Sequence, residues 1–208
     1  MGILTVSALV WVVIGGQASP QSGFAAPAQC LPRDQAAQKP DFFSFRAQLQ
    51  MAVARRDLRA VLAATDPQIR TSFGSDDGLA SFRRQLSDPA GQAWEELASV
   101  LALGGWFQDD LTFRAPYTDS CGGGDDVIVI ASDVRVRSKP SSTASALSSV
   151  SFEVLRGQWA KDGWVEVQLQ DGRKGFVAEA LVRSPIGYRA WFIRVQGLWK
   201  MTAFIAGD

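Results

Sequence analysis

Apolar side chains recur at helical spacing in the first half of the chain. Residues three and four apart are neighbours on one helix face, and the first run places four apolar residues there: Phe42, Phe45, Leu49 and Val53. The same spacing returns in residues 58–64, 79–86 and 93–103. Pro67 ends the second run, because proline disfavours helix in the residue before it. The pattern predicts a four-helix module within residues 40–117.

The following segment changes to a period of two, which is typical of half-buried strands. Val134 to Arg137 alternates apolar and basic residues, and Trp164 to Leu169 alternates again. Asp171-Gly172 is a strong hairpin-turn signal. Several short strands of this kind predict a small β-barrel over residues 127–183.

Residues 187–208 predict two strands joined at Gln196-Gly197, and both faces of the first strand are apolar. A sheet that is apolar on both faces must be covered on both. We therefore expect this hairpin to pack on the helices. The predicted fold class is α+β: an N-terminal four-helix module completed by a C-terminal β-hairpin, with the small barrel inserted between them.

The amino terminus is typical of an export signal. Ile3–Ile14 is apolar apart from two residues, and it is shorter than the about 20 residues that span a bilayer. Small residues at Ala26 and Ala28 suit signal peptidase, so we predict a signal peptide over residues 1–28. Met1 and Gly2 lack the usual Lys or Arg, which leaves an uncleaved anchor or a buried helix as alternatives. Gln29 precedes Cys30 where a lipoprotein signal needs a small residue, which argues against lipidation.

Two cysteines, Cys30 and Cys121, remain after the predicted cleavage. An even number of cysteines in an exported chain predicts a disulfide between them. The alternative, a reactive cysteine, needs a partner base, and the chain contains no histidine. The predicted location is therefore outside the cytoplasm, in the periplasm or the extracellular space.

Composition excludes several functions. Lys and Arg number 21, and Asp and Glu also number 21, so no basic excess predicts nucleic-acid binding or attachment to a membrane surface. The acidic pairs Glu95/Glu96 and Asp109/Asp110 do not make a persuasive general acid and base. We expect no enzyme activity, no metal and no cofactor, and no membrane span after signal cleavage.

The barrel segment resembles bacterial Src-homology-3-like (SH3-like) domains. The resemblance lies in three ordered motifs: Val136-Arg137-Ser138-Lys139-Pro140, Gly163-Trp164-Val165-Glu166-Val167, and Gly172-Arg173-Lys174-Gly175-Phe176-Val177 with Leu181. Two positions depart from the family pattern, Arg135 where asparagine is common and Phe176 where tryptophan is common. These departures bear on ligand preference rather than on the fold.

The resemblance implies a binding or targeting module of exported and cell-wall proteins, some of which bind peptidoglycan peptides. It suggests Trp164 and Trp159 as ligand-binding aromatics and Arg137 as a clamp for carboxylates. In the alternative interpretation, Trp164 belongs to the core of the domain and Trp159 packs on its own domain.

The last strand resembles a second fold. Its Gly197-Leu198-Trp199-Lys200 segment, followed by Phe204, is similar to the final strand of cone-shaped α+β folds of the nuclear-transport-factor-2 (NTF2) type. This resemblance carries no functional expectation. The aromatic residues of the hairpin are expected to form core, with a ligand pocket as the alternative.

Three functions follow from these observations. The favoured one is an exported, non-catalytic binding or scaffolding protein of the bacterial cell envelope that binds peptide or peptidoglycan. The second is a cell-wall hydrolase or its regulator. The third is a small-ligand carrier with a pocket between the helices and the hairpin.

Overall fold

A computed structural model describes residues 28–74, 76–160 and 162–207. The predicted signal peptide lies outside these residues except for Ala28. From Ala28 onward the chain runs beside residues 152–154: the Val154 N–H donates to the Ala28 carbonyl at 2.8 Å, and the Cys30 N–H donates to the Phe152 carbonyl at 2.7 Å. The described chain therefore begins attached to its second half.

The described residues contain four α-helices: α1 (Pro40–Ala54), α2 (Leu58–Ala63), α3 (Leu79–Leu86) and α4 (Gln92–Ala102). Pro40 occupies the first turn of α1, where its missing N–H costs nothing. Asp57 caps α2 by accepting the Ala60 N–H at 3.0 Å. No helix in the described part of the chain is long and apolar enough to cross a membrane.

The same described residues form twelve strands: β1 (Thr65–Arg70), β2 (Trp106–Phe107), β3 (Thr112–Ala115), β4 (Asp126–Val129), β5 (Val134–Arg137), β6 (Ala146–Val150), β7 (Val154–Trp159), β8 (Trp164–Gln168), β9 (Lys174–Ala178), β10 (Val182–Arg183), β11 (Arg189–Val195) and β12 (Leu198–Ile205). They divide into two sheets.

The first sheet has five strands in the order β1-β12-β11-β3-β2. Its strands pair antiparallel except for β1, which runs parallel to β12. One face packs on the helices around Phe42, whose ring centroid lies 4.3 Å from that of Phe113. The strand β1 was not predicted. It lies at the edge of the sheet, where Pro67 is tolerated although it has no N–H to donate.

The second sheet has seven antiparallel strands in the order β10-β4-β7-β8-β9-β5-β6. The predicted closed barrel is therefore wrong, because the order is open and β10 and β6 stand at its two ends. The predicted fold class is wrong with it: the helices accompany two large sheets, of five and seven strands, rather than a hairpin and a barrel.

The open seven-stranded sheet is strongly bent. Val150 of β6 and Val182 of β10 belong to one hydrophobic cluster, although flat strands in this order would lie about 29 Å apart at their usual spacing. Gly157 and Gly175 permit the bend, since a Cβ on either would lie 2.5 Å from a valine methyl group of a neighbouring strand. Bending lets one sheet enclose its own core.

The two sheets contact each other through a small cluster that contains Cys30, Tyr117 and Ile128. Arg183 adds a polar link, since it donates to Ser99 Oγ of α4 at 3.0 Å and lies 3.3 Å from Glu96 Oε2. Burial lowers the pKa of Arg183, and the Glu96 carboxylate opposes that effect. The seven-stranded sheet is thus held against the helical layer by apolar and charged contacts.

Candidate functional site

The strand β5 places two arginines on the face of the second sheet that is turned away from the core. Val134 and Val136 are buried in the core of this sheet, with exposed fractions of 3% and 0%. Side chains alternate along a strand, so Arg135 and Arg137 leave it on the other face. Arg135 is exposed and Arg137 is half-buried.

Trp164 projects from this same outer face. It begins β8, and its neighbour Val165 is fully buried in the core. Trp164 pairs with Ala178 of β9, and β9 in turn pairs with β5 through Phe176 and Arg137. Because β5 and β9 run antiparallel and Arg137 pairs with Phe176, Arg135 lies opposite Ala178. Ala178 therefore lies between Trp164 on β8 and Arg135 on β5.

A groove of about 400 Å³ opens at this point, and we call it the tryptophan–arginine groove. The small side chain of Ala178 leaves the space, while large side chains rise on either side. The groove is lined in part by Asp133, Arg135, Arg137, Trp164, Ala178 and Leu181.

The charges of the tryptophan–arginine groove are positive on balance. Arg137 is held in place because its Nη1 donates to the Ala144 carbonyl at 2.7 Å. Within the described residues, neither Arg135 nor Arg137 has a carboxylate within 4.0 Å. Asp133 is the acidic residue of the lining, and its N–H donates to Ser151 Oγ at 2.9 Å. Two guanidinium groups and one indole are thus available to a ligand.

Trp159 lies elsewhere. It ends β7 opposite Val165, whose side chain points into the core, so Trp159 and Trp164 leave the sheet on opposite faces. Its side chain is 47% exposed and does not line the tryptophan–arginine groove. Of the three predicted ligand-binding residues, the structure therefore brings Trp164 and Arg137 together and separates Trp159 from them.

Cys30 and Cys121 form the predicted disulfide, with their Cα atoms 5.9 Å apart. Cys30 is 1% exposed and packs in the cluster between the two sheets. The bond belongs to the contact between the sheets and lies outside the groove.

The acidic pairs make structural contacts. Glu96 pairs with Arg183, and Asp110 lies 3.0 Å from Lys39. Asp109 accepts the Leu111 N–H at 2.8 Å, and this hydrogen bond lowers the pKa of its carboxyl group. No group of three metal-binding side chains occurs in the part of the chain that the structure describes.

The aromatic residues of the carboxy-terminal strands form core. Phe192 and Phe204 are fully buried, and Trp199 is 6% exposed. Trp199 packs edge-on against Phe42 with ring centroids 4.9 Å apart. An apolar groove lies beside this core, at the turn between β11 and β12.

Sequence reasoning missed Arg135 and Ala178 as groove residues. The alternation of Val134 to Arg137 already placed Arg135 on the outer face with Arg137. No sequence pattern indicates Ala178 as a groove residue, because its place in the groove depends on its pairing with Trp164.

No family model and no curated protein matches the chain. Solved structures do match, and two of them are NTF2-like proteins of unknown function. One, from Shewanella oneidensis, is 10% identical with a TM-score of 0.33 and covers 81% of this chain and 97% of its own. The other, from Pseudomonas putida, is 11% identical with a TM-score of 0.29 and covers 83% of this chain and 87% of its own.

A third match is a protein of unknown function with a cystatin-like fold from Nostoc punctiforme, which is 10% identical with a TM-score of 0.27 and covers 84% of this chain and 92% of its own. The expected membership of the SH3-like family is wrong: no family model matches the chain, and the seven-stranded sheet is open rather than a closed barrel. Likenesses at these TM-scores do not indicate a function for this chain.

Proposed function

We propose that this chain is a non-catalytic binding protein of the bacterial cell envelope, which binds peptides or peptidoglycan through the tryptophan–arginine groove. The observation that carries the proposal is the convergence of Arg135, Arg137 and Trp164 on one groove of about 400 Å³. That volume lies within the range of small-molecule and short-peptide sites.

The groove matches the chemistry of a short peptide with a free carboxylate. A guanidinium binds a carboxylate through two parallel hydrogen bonds. Arg137 is held by the Ala144 carbonyl, so less side-chain entropy is lost when it binds. The half-buried indole of Trp164 offers an apolar surface to a neighbouring side chain. Peptidoglycan peptides carry such carboxylates.

The envelope location is supported by the disulfide between Cys30 and Cys121. Structural disulfides persist in oxidising compartments and are rare in the cytosol. The predicted signal peptide agrees with this location. A binding protein in the periplasm or outside the cell would meet peptidoglycan directly.

Retention on insoluble peptidoglycan tests the proposal. We expect the chain from Gln29 to Asp208 to sediment with purified cell walls, and Trp164→Ala to weaken retention by at least about tenfold, because central aromatic anchors carry most of the binding energy. Trp159→Ala is the matched control, since it removes a tryptophan outside the groove and should leave retention unchanged. The measurement is the bound fraction as a function of wall concentration.

Two further variants keep this test independent of folding defects. Ala178→Leu fills the floor of the groove without removing a packed side chain, and Arg137→Gln removes its anchored charge. Both should weaken retention, whereas Arg55→Gln, an exposed charge change just after the first helix, should not. Retention of Trp164→Ala and Ala178→Leu at the wild-type level would contradict the proposal. A cleared band in cell-wall zymography would favour the hydrolase instead.

A further inference from the structure

A second groove lies between α1, α2 and the turn that joins β11 to β12, and we call it the hairpin groove. Its volume is about 570 Å³. The helix α1 contributes one continuous face, since its lining residues recur three and four positions apart. The contribution of α2 and the residue after it consists of alanines: Ala60, Ala63 and Ala64. These small side chains leave the space that larger ones would fill.

The floor of the hairpin groove is apolar and its rim exposes a large apolar side chain. Phe45, Leu49 and Ala52 of α1 line the floor. Leu198 stands at the turn with 66% of its side chain exposed, which is the largest fraction among the exposed large apolar residues that the structure describes. Apolar surface left exposed around a concave site indicates a binding surface.

Charged side chains gather at the hairpin end of this groove. Arg194 lies 3.4 Å from Asp41 Oδ2, and the Trp199 indole donates to the same oxygen at 3.1 Å. The hydrogen bond from Trp199 holds the pKa of Asp41 below its usual value, so the Asp41 carboxylate stays ionised and remains paired with Arg194. Asp41 supplies the only carboxylate among the described lining residues.

Of the two basic residues among the described lining of the groove, Lys200 is the one that does not pair with Asp41. Its Nζ donates to the Ala63 carbonyl at 2.6 Å, which holds the ammonium group beside the alanines at the end of α2. Within the described residues no carboxylate lies within 4.0 Å of this ammonium group. An ammonium group has three donors, and only one is used by Ala63. The groove therefore combines a long apolar floor with one available cation.

We propose that the hairpin groove binds a straight-chain monocarboxylate, with its alkyl chain on the apolar floor and its carboxylate at Lys200. The volume suits a small ligand. A single unpaired cation selects one negative charge, and burial of the alkyl chain supplies most of the binding energy. The hairpin groove belongs to the five-stranded sheet and its helices, so this proposal stands apart from peptide binding at the tryptophan–arginine groove.

Calorimetric titration with dodecanoate below its micelle concentration tests this assignment. We expect saturable binding of one dodecanoate per chain. Dodecyltrimethylammonium, which has the same chain and the opposite charge, should bind at least about tenfold more weakly. Butanoate, which keeps the carboxylate and loses most of the chain, should give no measurable binding at the same concentrations.

Two variants, each with a matched control, locate the site. Ala63→Leu adds bulk at an exposed position of the groove and should abolish binding, whereas Ala54→Leu, at the exposed end of the first helix and outside the groove, should not. Lys200→Met keeps an apolar stem and should weaken dodecanoate binding by about tenfold. Lys139→Met removes an exposed charge in the loop between β5 and β6, outside the hairpin groove, and should have no effect. Circular dichroism and thermal unfolding verify that each variant is folded.

Each other outcome would overturn the assignment. Absence of binding by the wild-type chain would do so, and so would uptake of many molecules per chain that Ala63→Leu leaves unchanged. Equal affinity for dodecanoate and dodecyltrimethylammonium would show that Lys200 does not recognise the carboxylate, which would also overturn the assignment.

Discussion

Replacing Phe42 with alanine is expected to lower the free energy of unfolding by about 4 kcal/mol, because a large buried aromatic side chain is lost and leaves a cavity. Phe42 is fully buried at the centre of the helical layer. Its ring centroid lies between 4.3 and 6.0 Å from those of five aromatic neighbours: Phe45, Phe107, Phe113, Phe192 and Trp199. These neighbours come from the first helix and from four strands of the five-stranded sheet.

The next residue on the same helix provides the control for this prediction. Phe43 is 49% exposed, so Phe43→Ala should change the free energy of unfolding by less than about 1 kcal/mol. Urea unfolding followed by circular dichroism measures both variants. Equal losses for Phe42→Ala and Phe43→Ala would mean that Phe42 is not the centre of this core.

The helices were predictable because their signal is local. The apolar spacing located all four to within two residues of the observed ends, and alternation located β5 and β8. Such patterns report which face of an element is buried. They do not report which element lies beside it.

Strand β1 shows why pairing was harder to predict. Thr65 and Ile69 are its buried positions, but Pro67 between them, which shares their face of the strand, is exposed, so the segment carries no regular alternation. Its partner β12 lies near the far end of the chain, where Thr65 pairs with Met201. The segment is extended because it pairs with β12 in the five-stranded sheet, and its own residues do not indicate this pairing.

The barrel prediction failed for a related reason. Alternation in the second half correctly indicates strands with one buried face, such as that of Val165 and Val167. Whether the end strands of a sheet pair with each other depends on register and curvature, which involve residues as distant as Val150 and Val182. The local sequence pattern therefore does not show whether the end strands close the sheet into a barrel.

The tryptophan–arginine groove was partly predictable. The family resemblance that suggests Trp164 and Arg137 as ligand-binding residues is not supported by the comparisons, yet both residues line one groove. Alternation alone would have placed Trp164 and Arg135 on outer faces. Their proximity follows from the β5–β9–β8 order and from the small Ala178, which only the structure supplies.

Removal of the disulfide is expected to have an effect as large as that of Phe42→Ala. Cys30 and Cys121 are separated by 91 residues, and a closed loop of that length restricts the unfolded chain by about 4.5 kcal/mol. That loop contains all four helices, and Cys30 also pairs with the chain at Phe152, so the bond ties the helical layer to the seven-stranded sheet. We therefore expect Cys30→Ala/Cys121→Ala to lower the free energy of unfolding by 2–5 kcal/mol, on the order typical of lost native disulfides.

Urea unfolding with and without a reducing agent measures the contribution of this bond and supplies its own control. The reductant should destabilise the wild-type chain to about the level of the double variant, and it should leave the double variant unchanged because that chain has no cysteine to reduce. Since the bond packs against the cluster between the two sheets, its loss should also loosen their contact at Tyr117 and Ile128. Hydrogen exchange should then increase at β4, which carries Ile128, more than at α1, which packs on the other helices and the five-stranded sheet. A double variant as stable as the oxidised wild type would show that the two sheets hold together without the bond.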